Sequence, residues 1–188
     1  MTQPIRESVA AGWRALLTQA QHVARVYLDP VAEDYLLRLL ARAVGSPGGL
    51  ASDAQAFIGR LAARTAPLQA IVAVGDESLL FGGLFPEQAI RKGIPITYFV
   101  QVGINAYREY ATMQRDPVAH DLYSMLASDF VELMDVLHTL RDLEQSGPCL
   151  DAMNAYQLWR DTGSTHAWRV LRRFTSGSPS LHHTDTRH

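Results

Sequence analysis

Apolar residues recur at steps of three and four along most of the chain, the spacing of amphipathic helices. Ile5, Val9, Trp13, Leu16, Ala20, Val23 and Tyr27 predict the first helix. Asp29-Pro30 then joins a good N-cap to a residue preorganised for a first turn, so a second helix begins there. Val31, Tyr35, Leu36, Leu39, Leu40 and Val44 line its expected buried face, and Gly45 to Gly49 closes it as a flexible loop. Ser52 and Gln55 fit a capping box that opens a short helix carrying Phe57, Ile58 and Leu61. Pro67 opens the next, through Ile71, Val74, Ser78 and Phe81, which must stop or kink before Pro86 because proline has no N–H for the ladder.

The run from Ile94 to Val102 is rich in β-branched and aromatic residues and would suit a strand. No partner strand is evident elsewhere, and an isolated strand leaves its backbone unpaired. Phe99, Val102, Ala106 and Tyr110 hold a helical step, so the run reads as a helix from about Thr97. Asp116-Pro117 repeats the earlier cap, and Val118, Leu122, Leu126, Phe130, Leu133, Leu137 and Leu140 predict one long helix closed by Gly147-Pro148. A further helix over about 150–160 presents Met153, Tyr156 and Trp159. Gly163 and Ser164 serve as C-cap and N-cap around a turn, and a last helix covers His166 to Phe174. The pattern is that of an all-α, single-domain bundle of seven or eight helices over residues 1–174, with a disordered tail over 175–188, where apolar residues almost vanish.

Composition changes this picture little. A chain of 188 residues with 47% hydrophobic and 19% charged residues can bury one sizeable core. The net charge of −2 gives no overall attraction to nucleic acid or anionic membranes. Arg169, Arg172 and Arg173 form one basic edge, read as a solvated face near a helix C-terminus. The N-terminal stretch carries charges inside its apolar run and does not read as a signal peptide. The longest uncharged run is too short for a membrane span, so the expected setting is cytoplasmic.

Candidate chemistry centres on residues 75–110, where polar groups interrupt the most apolar part of the chain. Asp76 and Glu87 are read either as a buried acid pair or, each separately, as local helix-end acids. Arg91, Tyr98 and Tyr107 complete the set of candidate ligand- or partner-binding residues, although Tyr98 and Tyr107 fall on different faces of an ideal helix. Gly82-Gly83 and Gly103 imply tight packing around helices. Asp135-x-x-His138 places two metal-ligand types one turn apart, and His138 alone would suffice as a haem-type axial ligand; a satisfied core histidine is the plainer reading. The single cysteine, Cys149, excludes an internal disulfide, and with no histidine near it in sequence it reads as incidental or capping. No metal site is assigned and no cofactor is named.

Gly75-Asp76-x-Ser78-Leu79-Leu80, Gly83-Leu84-Phe85-Pro86-Glu87, Tyr98-Phe99 with Gly103 and Ala106-Tyr107, and Tyr156-x-x-Trp159 with Thr162-Gly163-Ser164 together resemble a family of small bacterial all-helical proteins without an assigned activity. The resemblance spans most of residues 30–174. It implies a helical fold and a bacterial, cytoplasmic setting, and it implies no reaction, cofactor or partner. The expected function is a non-enzymatic binding or regulatory module acting through a protein partner or self-association, with contacts at Phe85, Tyr98 and Tyr107. The alternative is a small-ligand, haem-type binder or enzyme with its pocket at residues 75–110.

Overall fold

The computed structural model describes residues 3–45, 68–145 and 147–175. The expected loop after Gly45, the short helix at Ser52 to Leu61 and the tail beyond Thr175 lie outside the described residues. Within them the chain is all-helical, without a strand. The helices are α1 (Gln3–Ala24), α2 (Pro30–Gly45), α3 (Leu68–Leu84), α4 (Pro86–Arg91), α5 (Ile96–Met113), α6 (Pro117–Ser128), α7 (Phe130–Glu144), α8 (Ala152–Thr162) and α9 (Thr165–Thr175).

The cap chemistry fixes several helix starts. Asp29 Oδ1 accepts from the Val31 N–H at 2.8 Å, and Asp116 Oδ1 from the Val118 N–H at 3.1 Å. Gly163, at φ 74°, ends α8 in the left-handed region and donates its N–H to the Trp159 carbonyl at 2.8 Å. Ser164 Oγ then accepts from the Ala167 N–H at 3.0 Å and opens α9. The stretch 94–102 is helical from Ile96 onward, with extended Pro95 as its N-cap.

Two expectations are corrected. The single long helix after Asp116 is two helices, α6 and α7, meeting at Asp129. Asp129 still donates its N–H to the Met125 carbonyl, and Leu133 donates to the Asp129 carbonyl, so the bend interrupts the axis while the apolar spacing runs through it. Pro86 does not merely end α3; it occupies the first turn of α4, where a missing N–H costs nothing. These two changes raise the expected count, seven within the described residues, to nine.

The buried stripes of α1 and α2 match the expected ones at Ala20, Leu36, Leu39 and Leu40 and differ from them at other positions. Val23, Tyr27 and Val31 are exposed, while Leu17, Ala20, Ala24, Ala32, Leu36, Leu39 and Leu40 enter the core.

Helix α7 is the axis of the core. Every residue from Leu133 to Leu140 is buried, including Asp135, His138 and Thr139, because α1, α3 and α9 pack around it. Helix α5 packs along α3 and α6. Gly75 and Gly103 mark the closest approaches. A Cβ on Gly75 would lie 2.5 Å from Tyr107 Cε1, and one on Gly103 would lie 2.2 Å from Phe130 Cζ. The glycines thus make room for rings on neighbouring helices.

Candidate functional site

Asp76 lies in the middle of α3 with only 6% of its surface exposed. Tyr35 and Arg42, two turns apart on α2, reach it from one side, and Tyr107 reaches it from α5. Tyr35 donates its hydroxyl to Asp76 Oδ1 at 2.5 Å, Tyr107 donates to the same oxygen at 2.8 Å, and Arg42 holds Oδ2 at 2.9 Å. Tyr123 stands edge-on to Tyr35 and against Tyr107 and Tyr110. Charge-assisted bonds of this kind are worth ~1.5–3 kcal/mol each, which offsets part of the cost of burying a carboxylate in a helix interior. Asp76 is therefore neither half of an acid pair nor a helix-end cap.

Glu87 does not meet Asp76. It forms an ion pair with Arg141 of α7, whose guanidinium also donates to the Leu84 carbonyl at 3.2 Å and to Gln145 at 2.9 Å. Among the candidate residues, only Asp76 and Tyr107 come together. Arg91 is exposed at the end of α4. Tyr98 is 39% exposed and edge-on to Phe99 beside a small cluster of Phe81, Ala89 and Phe99.

Burial is the larger influence on Asp76 and raises its carboxyl above the ordinary 3.8, against the lowering effect of the two hydroxyls and Arg42. A carboxyl raised in the folded chain holds its proton more tightly there than in the unfolded chain. Its stabilising contribution is complete below about pH 3.8 and is lost as pH rises through the folded value. The melting-temperature advantage of the wild type over Asp76→Asn should therefore shrink as pH rises from below 3.8 towards neutrality. A difference that stays constant or grows over that range would contradict this account of the site.

A second polar cluster involves residues that sequence spacing separates. Cys149, between α7 and α8, is buried, with its Sγ 3.9 Å from His166 Nε2 in the first turn of α9. Asp142 Oδ2, in the last turn of α7, lies 3.5 Å from the same nitrogen, and Asp142 Oδ1 accepts from the Cys149 N–H at 2.8 Å. Cys149 is thus not an isolated capping residue. Its histidine lies 17 residues away and arrives through the fold of α8 and α9. Nor does a helix dipole activate its thiol: burial, and then the Asp142 carboxylate, push it up. His166 is driven down to about 2 by burial and by the neighbouring His138 and Arg169, so its ring is neutral and its approach to Asp142 is not a salt bridge.

The Asp135–His138 pair has other work. Asp135 spends both oxygens on the start of α9, accepting from Ser164 Oγ at 2.5 Å, the Thr165 N–H at 2.7 Å, Thr165 Oγ1 at 3.0 Å and the His166 N–H at 3.1 Å. His138 is fully buried and donates its Nε2–H to the Gly82 carbonyl at 2.7 Å, which occupies the nitrogen. Its Nδ1 is buried without a hydrogen-bond partner among the described residues.

On the surface, Met153, Tyr156 and Trp159 of α8 form an exposed row, because the helix buries Ala155 and Leu158 instead. Trp168 of α9 extends the row. The Trp159 and Trp168 ring centres are 4.9 Å apart, those of Tyr156 and Trp159 are 6.2 Å apart, and the Arg160 guanidinium stands 5.9 Å from the Tyr156 ring centre.

No family model matches the chain, and no curated protein or solved structure matches it either. Among the described residues, no helix is long and apolar enough to cross a membrane.

Proposed function

We propose that the chain is a non-enzymatic helical binding module that works by associating with a second copy of itself through the aromatic face of α8 and α9. One observation carries this reading: Met153, Tyr156, Trp159 and Trp168 form a contiguous surface row and are 74%, 46%, 36% and 45% exposed. Leaving such rings in water forfeits apolar burial, and contiguous exposed aromatics characterise interaction surfaces. The charges of α8 are of both signs, Arg160 beside Asp161 in the last turn and Asp151 at the N-cap, which suits a patch that must complement itself about a twofold axis. Tyr107, by contrast, is fully buried and so cannot itself contact a partner. The bacterial, cytoplasmic setting implied by the sequence resemblance belongs to the same proposal.

The ligand-pocket alternative draws on Asp76, but the donors around that carboxylate are Tyr35, Tyr107 and Arg42 of the chain itself. Truncating an aromatic that serves as a central hot spot costs an interface ~2 kcal/mol or more. Light scattering after size exclusion should give a dimer mass for the wild type and a monomer mass for Tyr156→Ser combined with Trp168→Ser, with unchanged helical circular dichroism. The same mass for both proteins would remove the aromatic face from the account.

A further inference from the structure

Asp142, Cys149 and His166 present a carboxylate, a thiol and an imidazole whose ligand atoms all lie within 4.8 Å of one another. They come from the end of α7, the connection after it and the start of α9. We propose that these residues bind one zinc(II)-like cation through Asp142 Oδ2, Cys149 Sγ and His166 Nε2.

Three features of the site carry this, apart from its composition. The first is spacing. Zinc bonds of ~2.0–2.1 Å to nitrogen, ~2.0–2.2 Å to oxygen and ~2.3 Å to sulfur, at tetrahedral angles, put nitrogen and oxygen ~3.4 Å apart and nitrogen and sulfur ~3.6 Å apart. The corresponding separations here are 3.5 Å and 3.9 Å, and the carboxylate and sulfur lie within 4.8 Å of each other, so the histidine is nearly at bonding distance from both and the carboxylate and thiol draw together to close the shell.

The second is the tautomer. The Thr139 hydroxyl donates to the Asp135 carbonyl at 2.8 Å, so towards His166 Nδ1, at 3.3 Å, it accepts. In the tautomer that matches this bond, with the proton on Nδ1, Nε2 presents an unprotonated lone pair to Sγ and the carboxylate. An imidazole held by its other N–H is the arrangement that orients metal-bound histidines.

The third is access. A cleft of about 140 Å³, lined by Thr139, Asp142, His166, Arg169 and Arg173 among others, opens beside the cluster. It has room for a water as fourth ligand. The donor set, one soft and two borderline-to-hard, matches zinc rather than calcium or magnesium, which take oxygens alone.

Binding balances simply. The Cys149 S–H bond breaks, a metal–sulfur bond forms, and the proton leaves to solvent. The metal–nitrogen and metal–oxygen bonds use lone pairs and break no further bond, and no electron is transferred, so the thiol supplies about one proton per ion bound.

Cobalt(II) titration of the full-length chain, kept reduced with a phosphine, tests the site. Cys149 is the only cysteine, so a sulfur-to-cobalt charge-transfer band reports this cluster alone, while His182, His183 and His188 contribute none. The expected result is a band that saturates at one ion per chain, bleaches on zinc addition and disappears in Cys149→Ser. Thr139→Val should keep the band but weaken binding about 10–100-fold, as loss of an outer-shell partner does. Absence of the band in folded wild-type protein would overturn the proposal even if Cys149→Ser failed to fold. A band of unchanged affinity in both Asp142→Asn and His166→Gln would overturn the ligand set.

Discussion

Asp135→Ala is expected to destabilise the fold by at least about 3 kcal/mol, because the carboxylate serves four donors at the start of α9 from 1% exposure. Each bond to a charged acceptor is worth ~1.5–3 kcal/mol, and the Ser164 hydroxyl and the His166 amide are buried, so the loss of their acceptor carries a desolvation penalty as well. Asp135→Asn keeps one acceptor oxygen and should lose about half as much. Denaturant unfolding measures both, and amide exchange localises them: protection of Thr165 and His166 should fall before that of the α7 core. Losses below ~0.5 kcal/mol in both variants would mean that α9 holds its place by packing alone.

Gly103→Ala is the second large effect. In an open helix, the change would gain ~0.8–1 kcal/mol of propensity. Here the new methyl meets the ring of Phe130, 2.2 Å from Cζ, and Phe130 is 0% exposed and has no room to withdraw. Overpacking should win by about 1–3 kcal/mol, lowering the melting temperature by roughly 2–12 °C for a chain of this size. In a Phe130→Leu background, the penalty should vanish or reverse, giving a coupling term in the double-mutant cycle. Equal penalties in both backgrounds would show that the ring is not the obstacle.

These sites also indicate what a one-dimensional pattern can carry. Asp29-Pro30, Asp116-Pro117 and Gly163-Ser164 act within a few residues of themselves, and each caps a helix as its local chemistry dictates. Gly103 signals tightness in sequence, but its partner ring, 27 positions later, is visible only in the packed structure. The bend at Asp129 escapes because apolar spacing continues through it; nothing in the periodicity of Leu126, Phe130 and Leu133 registers a change of axis.

The same limit explains the polar clusters. Asp76 is conspicuous because it interrupts an apolar run, but its partners Tyr35, Arg42 and Tyr107 lie 31 to 41 residues away. Glu87, nearer in sequence, goes to Arg141 instead. Cys149 and His166 are separated by all of α8, so neither advertises the other. The available signal was indirect: Ser164 as an N-cap pins His166 to a first helical turn, and Gly163 turns that helix back against α8. The row of Met153, Tyr156 and Trp159 was legible as a helical face, whereas its exposure was not, since Ala155 and Leu158 supply enough apolar surface to bury the opposite side.

Native mass spectrometry of the full-length chain tests the proposed self-association most directly, because it counts subunits without labels or a known partner. The predicted result is a dimer that the Tyr156→Ser, Trp168→Ser variant converts to a monomer. A wild-type chain that remains monomeric at every concentration from which a spectrum can be recorded would contradict the account.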